Sequence, residues 1–240
     1  MNEDILKIIQ KRQSTRIPFN SRRKVDKRDL RQIIEAARWA PTAHNMQNFE
    51  IVVVDDPKLL KNIGNIKSRI SEDFLRENYQ QLSFSKEELL KKKVGILGYG
   101  FPPSWRDPTK LHTVAQESPP RPLSQTVQGS PLLLVVIYDP RKRAPASEGD
   151  FLGILSLGCV MENMWLMAQS LKIGFQVMSV FSSPAVEKEV KRILNIPGHM
   201  KIAYAIRLGY ALAKTTKYLR VRRDVEMFAH YNQYQNVSLG

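Results

Sequence analysis

The segment FLGILSLGCVMENMWLMAQSLKIG, Phe151 to Gly174, decides how the rest of this chain has to fold. Wound as a helix it is apolar on nearly every side, with Glu162, Asn163 and Gln169 as its polar interruptions. Those interruptions and its length argue against a membrane span, which needs about 20 predominantly apolar residues. It reads instead as a fully buried helix closed by Gly174. Such a helix needs neighbours on every side, and a chain with few strands does not supply them all. A partner subunit is the natural source, and Gly153, Ser156, Gly158 and Ala168 would let it approach closely. The expectation is a two-fold dimer, the commonest oligomer. The alternative is that the helix forms the core of a monomer.

Outward from this helix, strands and helices follow in an α+β pattern. Upstream, PLLLVVIYD reads as a buried strand and KRAPASEGD as a turn. Downstream, FQVMSVF and KIAYAIRLGYA are two more strands, separated by an amphipathic helix that starts at Ser183 and Pro184 and runs to Leu194. Near the start of the chain, residues 4–12 form a short helix with Ile5, Leu6, Ile8 and Ile9 on its inner side. A stronger helix begins at the N-cap candidate Asp26, with Asp29 three residues on and Leu30, Ile33, Ile34 and Ala37 at helical spacing. Pro41 stops it. FEIVVVDDP is a strand ended by Asp55, Asp56 and Pro57. Residues 58–98 are mostly helical, and residues 99–125 show no clear period, as a lid or binding loop would. No repeat or linker divides the chain. The expectation is one domain, 1–240, with a lid-like insertion at about 57–128.

Composition excludes several classes. The 240 residues suit one large domain or two small ones. A single cysteine, Cys159, allows no internal disulfide and no cysteine-based zinc site. His44, His112, His199 and His230 are scattered without metal-type spacing, so no metal is expected. MNEDILKIIQKRQ lacks the apolar run and cleavage site of a signal peptide, which points to the cytoplasm and away from a membrane. The formal net charge of +14 calls for an anionic partner: nucleic acid, an acidic membrane surface or a phosphorylated small molecule. The charge is concentrated twice. One group is Lys11, Arg12, Arg16, Arg22, Arg23, Lys24, Lys27, Arg28 and Arg31. The other is Lys214, Lys217, Arg220, Arg222 and Arg223. If the fold brings them together they form one anion site; otherwise they are a solvated surface.

The familiar catalytic signatures are missing. There is no G-x-S-x-G elbow and no Walker loop. GILGYG, Gly95 to Gly100, follows a Lys-rich helix rather than a strand. Glu162 is either a general acid or, more commonly for such a residue, satisfied by a neighbour. Three segments remain. RQSTR, Arg12 to Arg16, sets two permanently charged, forked guanidiniums around a hydroxyl and an amide, which suits a phosphate. APTAHNMQ, Ala40 to Gln47, leaves a helix through proline and places small residues before Asn45 and Gln47. Small residues admit a flat ligand, and an amide offers donor and acceptor to a ring edge. LKIGFQVMSVFSS is a strand whose end turns into a serine-capped helix.

These segments, in this order, resemble the FMN-dependent nitroreductase family. Arg12, Gln13, Ser14 and Arg16 match its Arg-(Arg/His/Gln)-Ser-x-(Arg/Lys) motif. Ala40, Pro41, Thr42, Asn45 and Gln47 match its Ala-Pro-Ser-x-x-Asn-x-Gln-Pro motif, with Asn48 where proline is common. SLGCVMENMWLMAQSLKIG is similar to its central helix, IPGHMKIAYAIRLGY to its "IP…" loop and "…GYP" strand, and RVRRDVEMFAHYNQY to its closing Arg-containing segment. The resemblance covers about residues 5–56 and 130–234. It implies an α+β sandwich, a mixed sheet flanked by helices, in an intertwined homodimer with FMN at the interface.

By position, Arg12, Ser14 and Arg16 would hold the phosphate and ribityl chain, with Gln13 toward the ring edge. Arg220 and Arg222 would approach the phosphate from the C-terminal side. Pro41, Thr42, Ala43, Asn45 and Gln47 would belong to the same cofactor site, the partner subunit's loop covering the flavin. Val180, Phe181 and Ser182 would lie beside the ring, where Phe181 could narrow the substrate face. Tyr99, Phe101 and Trp105 are candidates for touching substrate, or for packing the insertion onto its own domain. The implied activity is an oxidoreductase that passes hydride from NADH or NADPH through FMN to a nitroaromatic, quinone or similar acceptor by ping-pong chemistry. No catalytic side chain is expected. The alternatives are a specialised relative, such as a reductive dehalogenase or a flavin-consuming enzyme, and, outside this class, a polyanion- or nucleic-acid-binding protein. The last would need interleaved aromatic and basic residues along one element, and the sequence shows none.

Overall fold

A computed structural model of the chain describes residues 2–79, 85–92, 102–127, 129–213 and 222–236. The chain divides into two compact units, Met1–Ser68 with Arg121–Thr215, and Arg69–Pro120 with Thr216–Gly240.

The first unit is built on the four strands anticipated from their β-branched runs. They are β1 (Glu50–Val54), β4 (Leu132–Tyr138), β5 (Gly174–Met178) and β6 (Lys201–Gly209). A short pair, β2 (Lys67–Ser68) and β3 (Arg121–Pro122), lies apart from them. The four-stranded sheet has the order β1-β4-β6-β5, and each of its described pairings is antiparallel, where a mixed sheet was expected. Strand β4 is apolar without alternation because both its faces are covered. Leu132, Leu134 and Val136 point into one core; Leu133, Val135 and Ile137 point into the other. A register shift between Val136 and Ile137 skips Ala203, so that β6 turns both Ile202 and Ala205 toward the second core.

The first core lies under α2 (Lys27–Arg38) and the long helix α8 (Phe151–Ser170). Asp26 caps α2 as anticipated, accepting from Arg28 N–H at 2.7 Å. The second core lies under α3 (Pro57–Gly64), α7 (Ser124–Val127) and α9 (Pro184–Leu194). Asp56 caps α3, and Pro57 fills its first turn. Ser183 starts α9, but its hydroxyl turns back to donate to Val180 O at 2.8 Å rather than capping the helix.

Helix α8 differs from the sequence reading in two ways. Gly174 does not close it: the helix ends at Ser170, Lys172 takes the left-handed turn (φ 59°), and Gly174 opens β5. A side chain at Gly174 would collide with the ring of Phe19, an added Cβ lying 2.5 Å from Cε1. Nor is the helix buried all round. Leu157, Val160, Met164 and Ala168 are buried, at a spacing of three and four, while Phe151, Ile154 and Leu155 on other faces are exposed. The segment Glu148–Ser170 is long and apolar enough to cross a membrane, contrary to the reading from its polar interruptions, yet here it packs as a core helix against α2 and the sheet. The N-terminal helix α1 (Asn2–Lys11) forms where expected, but Ile5, Leu6 and Ile9 lie exposed rather than inward.

The second unit holds α4 (Glu72–Tyr79), α5 (Lys86–Lys92) and α6 (Leu111–Glu117). Its core is small: Leu75 and Leu111, with Ile70, Trp105, Val114 and Ala115 against them. The insertion expected over 57–128 is therefore narrower as a separate body, since α3 and β3 belong to the first unit. Within 99–125, LHTVAQE is helical despite its proline-rich flanks, because Leu111, Val114 and Ala115 share a face.

Candidate functional site

The basic segment after α1 is an extended loop docked on the sheet edge. Thr15 N–H donates to Phe175 O at 2.9 Å, Asn20 N–H to Tyr210 O at 2.8 Å, and Leu212 N–H to Pro18 O at 3.1 Å. Phe19, 2% exposed, fills the space left by Gly174 and Gly209. Underneath lies Arg207 of β6, fully buried, the one buried charge of a largely apolar strand. Its Nη2 donates to Thr15 O at 2.7 Å and to Ile17 O at 2.9 Å, its Nη1 to Val127 O at 3.2 Å, and its Nε to Gln176 Oε1 at 2.7 Å. The guanidinium also lies 4.4 Å from the centre of the Phe19 ring. Burial pushes the Arg207 pKa down to about 10.

Arg12 sits against the second half of α8. Its Nε lies 3.0 Å from Glu162 Oε1, and its guanidinium stacks 4.2 Å over Trp165, which stacks in turn on Phe175 at 5.1 Å. Glu162 is thus satisfied by a neighbour, the commoner of the two readings. The Trp165 indole N–H is buried and has no hydrogen-bond partner among the described residues. Gln13 and Ser14 are half-buried and Arg16 is exposed.

The second segment, Pro41 to Gln47, reaches the first half of α8. Ala43 N–H donates to Ser156 Oγ at 2.9 Å, and that hydroxyl donates to Leu152 O at 2.7 Å. The backbone here is strained: His44, Asn45 and Gln47 have φ of 50°, 52° and 48°. Side chains of this kind pay for the left-handed region, and such residues cluster where a loop is shaped for a ligand. Gln47 N–H donates to Thr42 Oγ1 at 3.2 Å and Gln47 Nε2 to Asn45 Oδ1 at 3.1 Å.

Asn48, standing where proline is common, fastens the loop. It donates to Asp139 O and Lys142 O, each at 2.9 Å, and accepts from Asp139 N–H at 3.1 Å. Asp139 is itself held by Arg141, whose hydrogen bonds at 2.8 Å keep the carboxylate well below its ordinary pKa.

The two segments therefore do not meet within one chain. They lie on one helix, at Ser156 and at Glu162–Trp165, six to nine positions or about 9–14 Å apart along it. The third segment, Val180 to Ser182, is a 3-10 turn between β5 and α9. The Phe181 side chain is fully buried in the second core with Val186 and Val190, so it cannot narrow a substrate face; only its backbone is available.

Of the C-terminal arginines, Arg220 lies outside the described residues and Arg222 belongs to the second unit. Tyr99 and Phe101, like the GILGYG stretch, also lie outside them. Trp105 packs into the second unit's own core. Among the described residues no group of His, Cys, Asp and Glu is placed to hold a metal ion. The sequence reading missed Arg207, Trp165 and the anchoring roles of Ser156 and Asn48. A charge inside the run KIAYAIRLGYA was the one available signal, and it concerned only the first of these.

No significant match was found among curated proteins. Solved structures of similar fold include a nitroreductase family protein from Clostridium difficile 630 (15% identity, TM-score 0.61, covering 95% of this chain and 98% of that one). Two others are an FMN-dependent nitroreductase from Clostridium difficile R20291 (19%, 0.60, 95% and 99%) and a nitroreductase with bound FMN from Desulfitobacterium hafniense DCB-2 (21%, 0.58, 96% and 98%). A sequence model of the nitroreductase family matches residues 9–210, which contain both loops, all of α8 and the whole sheet, and the chain belongs to that family.

Proposed function

We propose that the protein is an FMN-dependent NAD(P)H oxidoreductase acting as a homodimer. The observation that carries this reading is that both motif loops sit on a helix whose first turns leave apolar side chains exposed, so that neither loop alone is a site but two copies can make one. Phe151, Ile154 and Leu155 on α8, with Ile5, Leu6 and Ile9 on α1, offer the apolar surface such a pairing buries. A two-fold axis across that surface sets the 12–16 loop of one copy against the 42–47 loop of the other.

The residues present fit FMN. Arg12 is held by Glu162 and Trp165, so its fork is oriented before a phosphate arrives. Ser14 and Arg16 add donors along the ribityl chain and phosphate, and Gln13 an amide toward the ring edge. The buried indole N–H of Trp165, on the ring that Arg12 stacks over, is a donor without a partner among the described residues. The strained Thr42–Gln47 loop presents small residues and two amides to a flat ring, and the backbone of Val180–Ser182 lines its other edge. FMN, when bound, supplies the two-electron chemistry that links a reduced nicotinamide to an electron-poor acceptor such as a nitroaromatic or quinone. The chain's own task is to bind, orient and keep water out, and that calls for no acid–base pair.

The test is the absorbance spectrum of purified or FMN-reconstituted protein, followed by anaerobic titration with NADH and NADPH. A flavin spectrum that bleaches supports the reading. Protein that stays colourless after reconstitution, or that does not bleach with either nicotinamide, contradicts it. The separate second unit favours one further reading, a specialised acceptor such as a halogenated compound. Simple nitroaromatics would then be reduced far more slowly than the nicotinamide reduces the flavin.

A further inference from the structure

The Arg207 guanidinium is buried without a carboxylate partner among the described residues. Its partners are three backbone carbonyls and the Gln176 amide oxygen, all neutral. A buried cation with only neutral partners is costly, so its presence calls for a compensating role. Two of the carbonyls, Thr15 and Ile17, belong to the loop that carries Arg12, Ser14 and Arg16. The peptide bonds there are trans, and in a trans peptide the C=O and the following N–H point in opposite directions. Drawing Thr15 O down onto Arg207 therefore turns the Arg16 N–H away from Arg207, and the Arg16 residue is exposed. Thr15 N–H cannot swing with it, because it is tied to Phe175 O.

We propose that Arg207 is the positioning residue of the anion site, fixing the 12–17 loop so that its donors face a phosphate and lending that phosphate a buried positive charge. This rests on the FMN reading above and deepens it. The role needs both the fork and the charge. A lysine keeps the charge but cannot span Thr15 O, Ile17 O, Val127 O and Gln176 Oε1 together.

The distinguishing measurement compares FMN with riboflavin, which lacks only the phosphate, by flavin titration into apoprotein. Wild type is expected to prefer FMN strongly. Arg207→Met is expected to cut that preference at least tenfold while leaving riboflavin affinity within about threefold, since only the phosphate end is lost. Arg207→Lys should cut it by a smaller but clear factor. If Arg207→Met does not fold, Arg207→Lys and Gln176→Met carry the test with the same two ligands. A merely structural residue would lower thermal stability and leave the FMN-to-riboflavin ratio unchanged. Folded variants with that unchanged ratio, beside a wild type that prefers FMN, overturn this inference alone. A wild type that binds neither flavin overturns the cofactor reading and this inference with it.

Discussion

The 12–17 loop and the 42–47 loop lie on the same helix and hold their shapes by opposite means. The first is pulled into place from below by a buried cation and by pairing with Phe175, with no left-handed residue in it. The second carries three left-handed residues in four positions, pinned by Ser156 at one end and Asn48 at the other. In the first, hydrogen bonds to a charge do the positioning. In the second, a conformational cost of about 1–2 kcal/mol per left-handed residue is offset by the clamps on either side. Substitutions in the two loops should therefore fail differently.

Arg207→Met should break the comparison hardest. It leaves the Thr15, Ile17 and Val127 carbonyls without their donor, and the expected loss is about 3–5 kcal/mol in urea unfolding, a large share of a typical domain's stability. Asn48→Ala attacks the other loop's clamp. Three hydrogen bonds go, and a loss of about 2 kcal/mol is expected. Asn48→Pro, which restores the residue common in the family, should cost as much, because the proline cannot bridge Asp139 and Lys142.

His44→Gly should move stability the other way. It removes a left-handed side chain at φ 50°, so thermal stability rises slightly, by about 0.5 kcal/mol after the entropy of glycine is counted. FMN affinity should fall about threefold as the loop loosens, because the ordering cost moves to the binding step. A stabilised variant that binds FMN as well as wild type would show that the strain serves no purpose there.

The smallest effect concerns acid. Arg141 depresses the Asp139 carboxylate in the folded protein. Its contribution is therefore complete above the ordinary carboxylate pKa of about 4 and is lost as pH falls below that toward the folded value. Asp139→Asn should flatten the acid limb of the stability profile and leave the neutral limb unchanged in slope. An unchanged acid limb would show that the Arg141–Asp139 pairing adds nothing to stability.

Much of the fold was legible because its signals are local. The runs of β4 and β6, the Asp26 cap and the end of β1 before Pro57 are set by neighbours in sequence. The motif loops were legible through resemblance. What escaped were contacts distant in sequence. Arg207 meets Thr15 across nearly the whole chain, and Asn48 meets Asp139 from 91 residues away. Phe181 was assigned to the substrate face because sequence order places it in the right turn, but the direction of a side chain in a 3-10 turn is decided by the core it meets. The end of α8 was misplaced because glycine is the usual left-handed residue, and here Lys172 takes that position while Gly174 yields to Phe19.

The central claim is that two copies of the chain assemble one kind of flavin site from the 12–16 loop of one and the 42–47 loop of the other. Light scattering on a sizing column, with visible flavin absorbance recorded across the same peak, tests it most directly. The account predicts flavin eluting only with a species of twice the 27.6 kDa chain mass, at one flavin per chain. Flavin carried by a species of single-chain mass would contradict it.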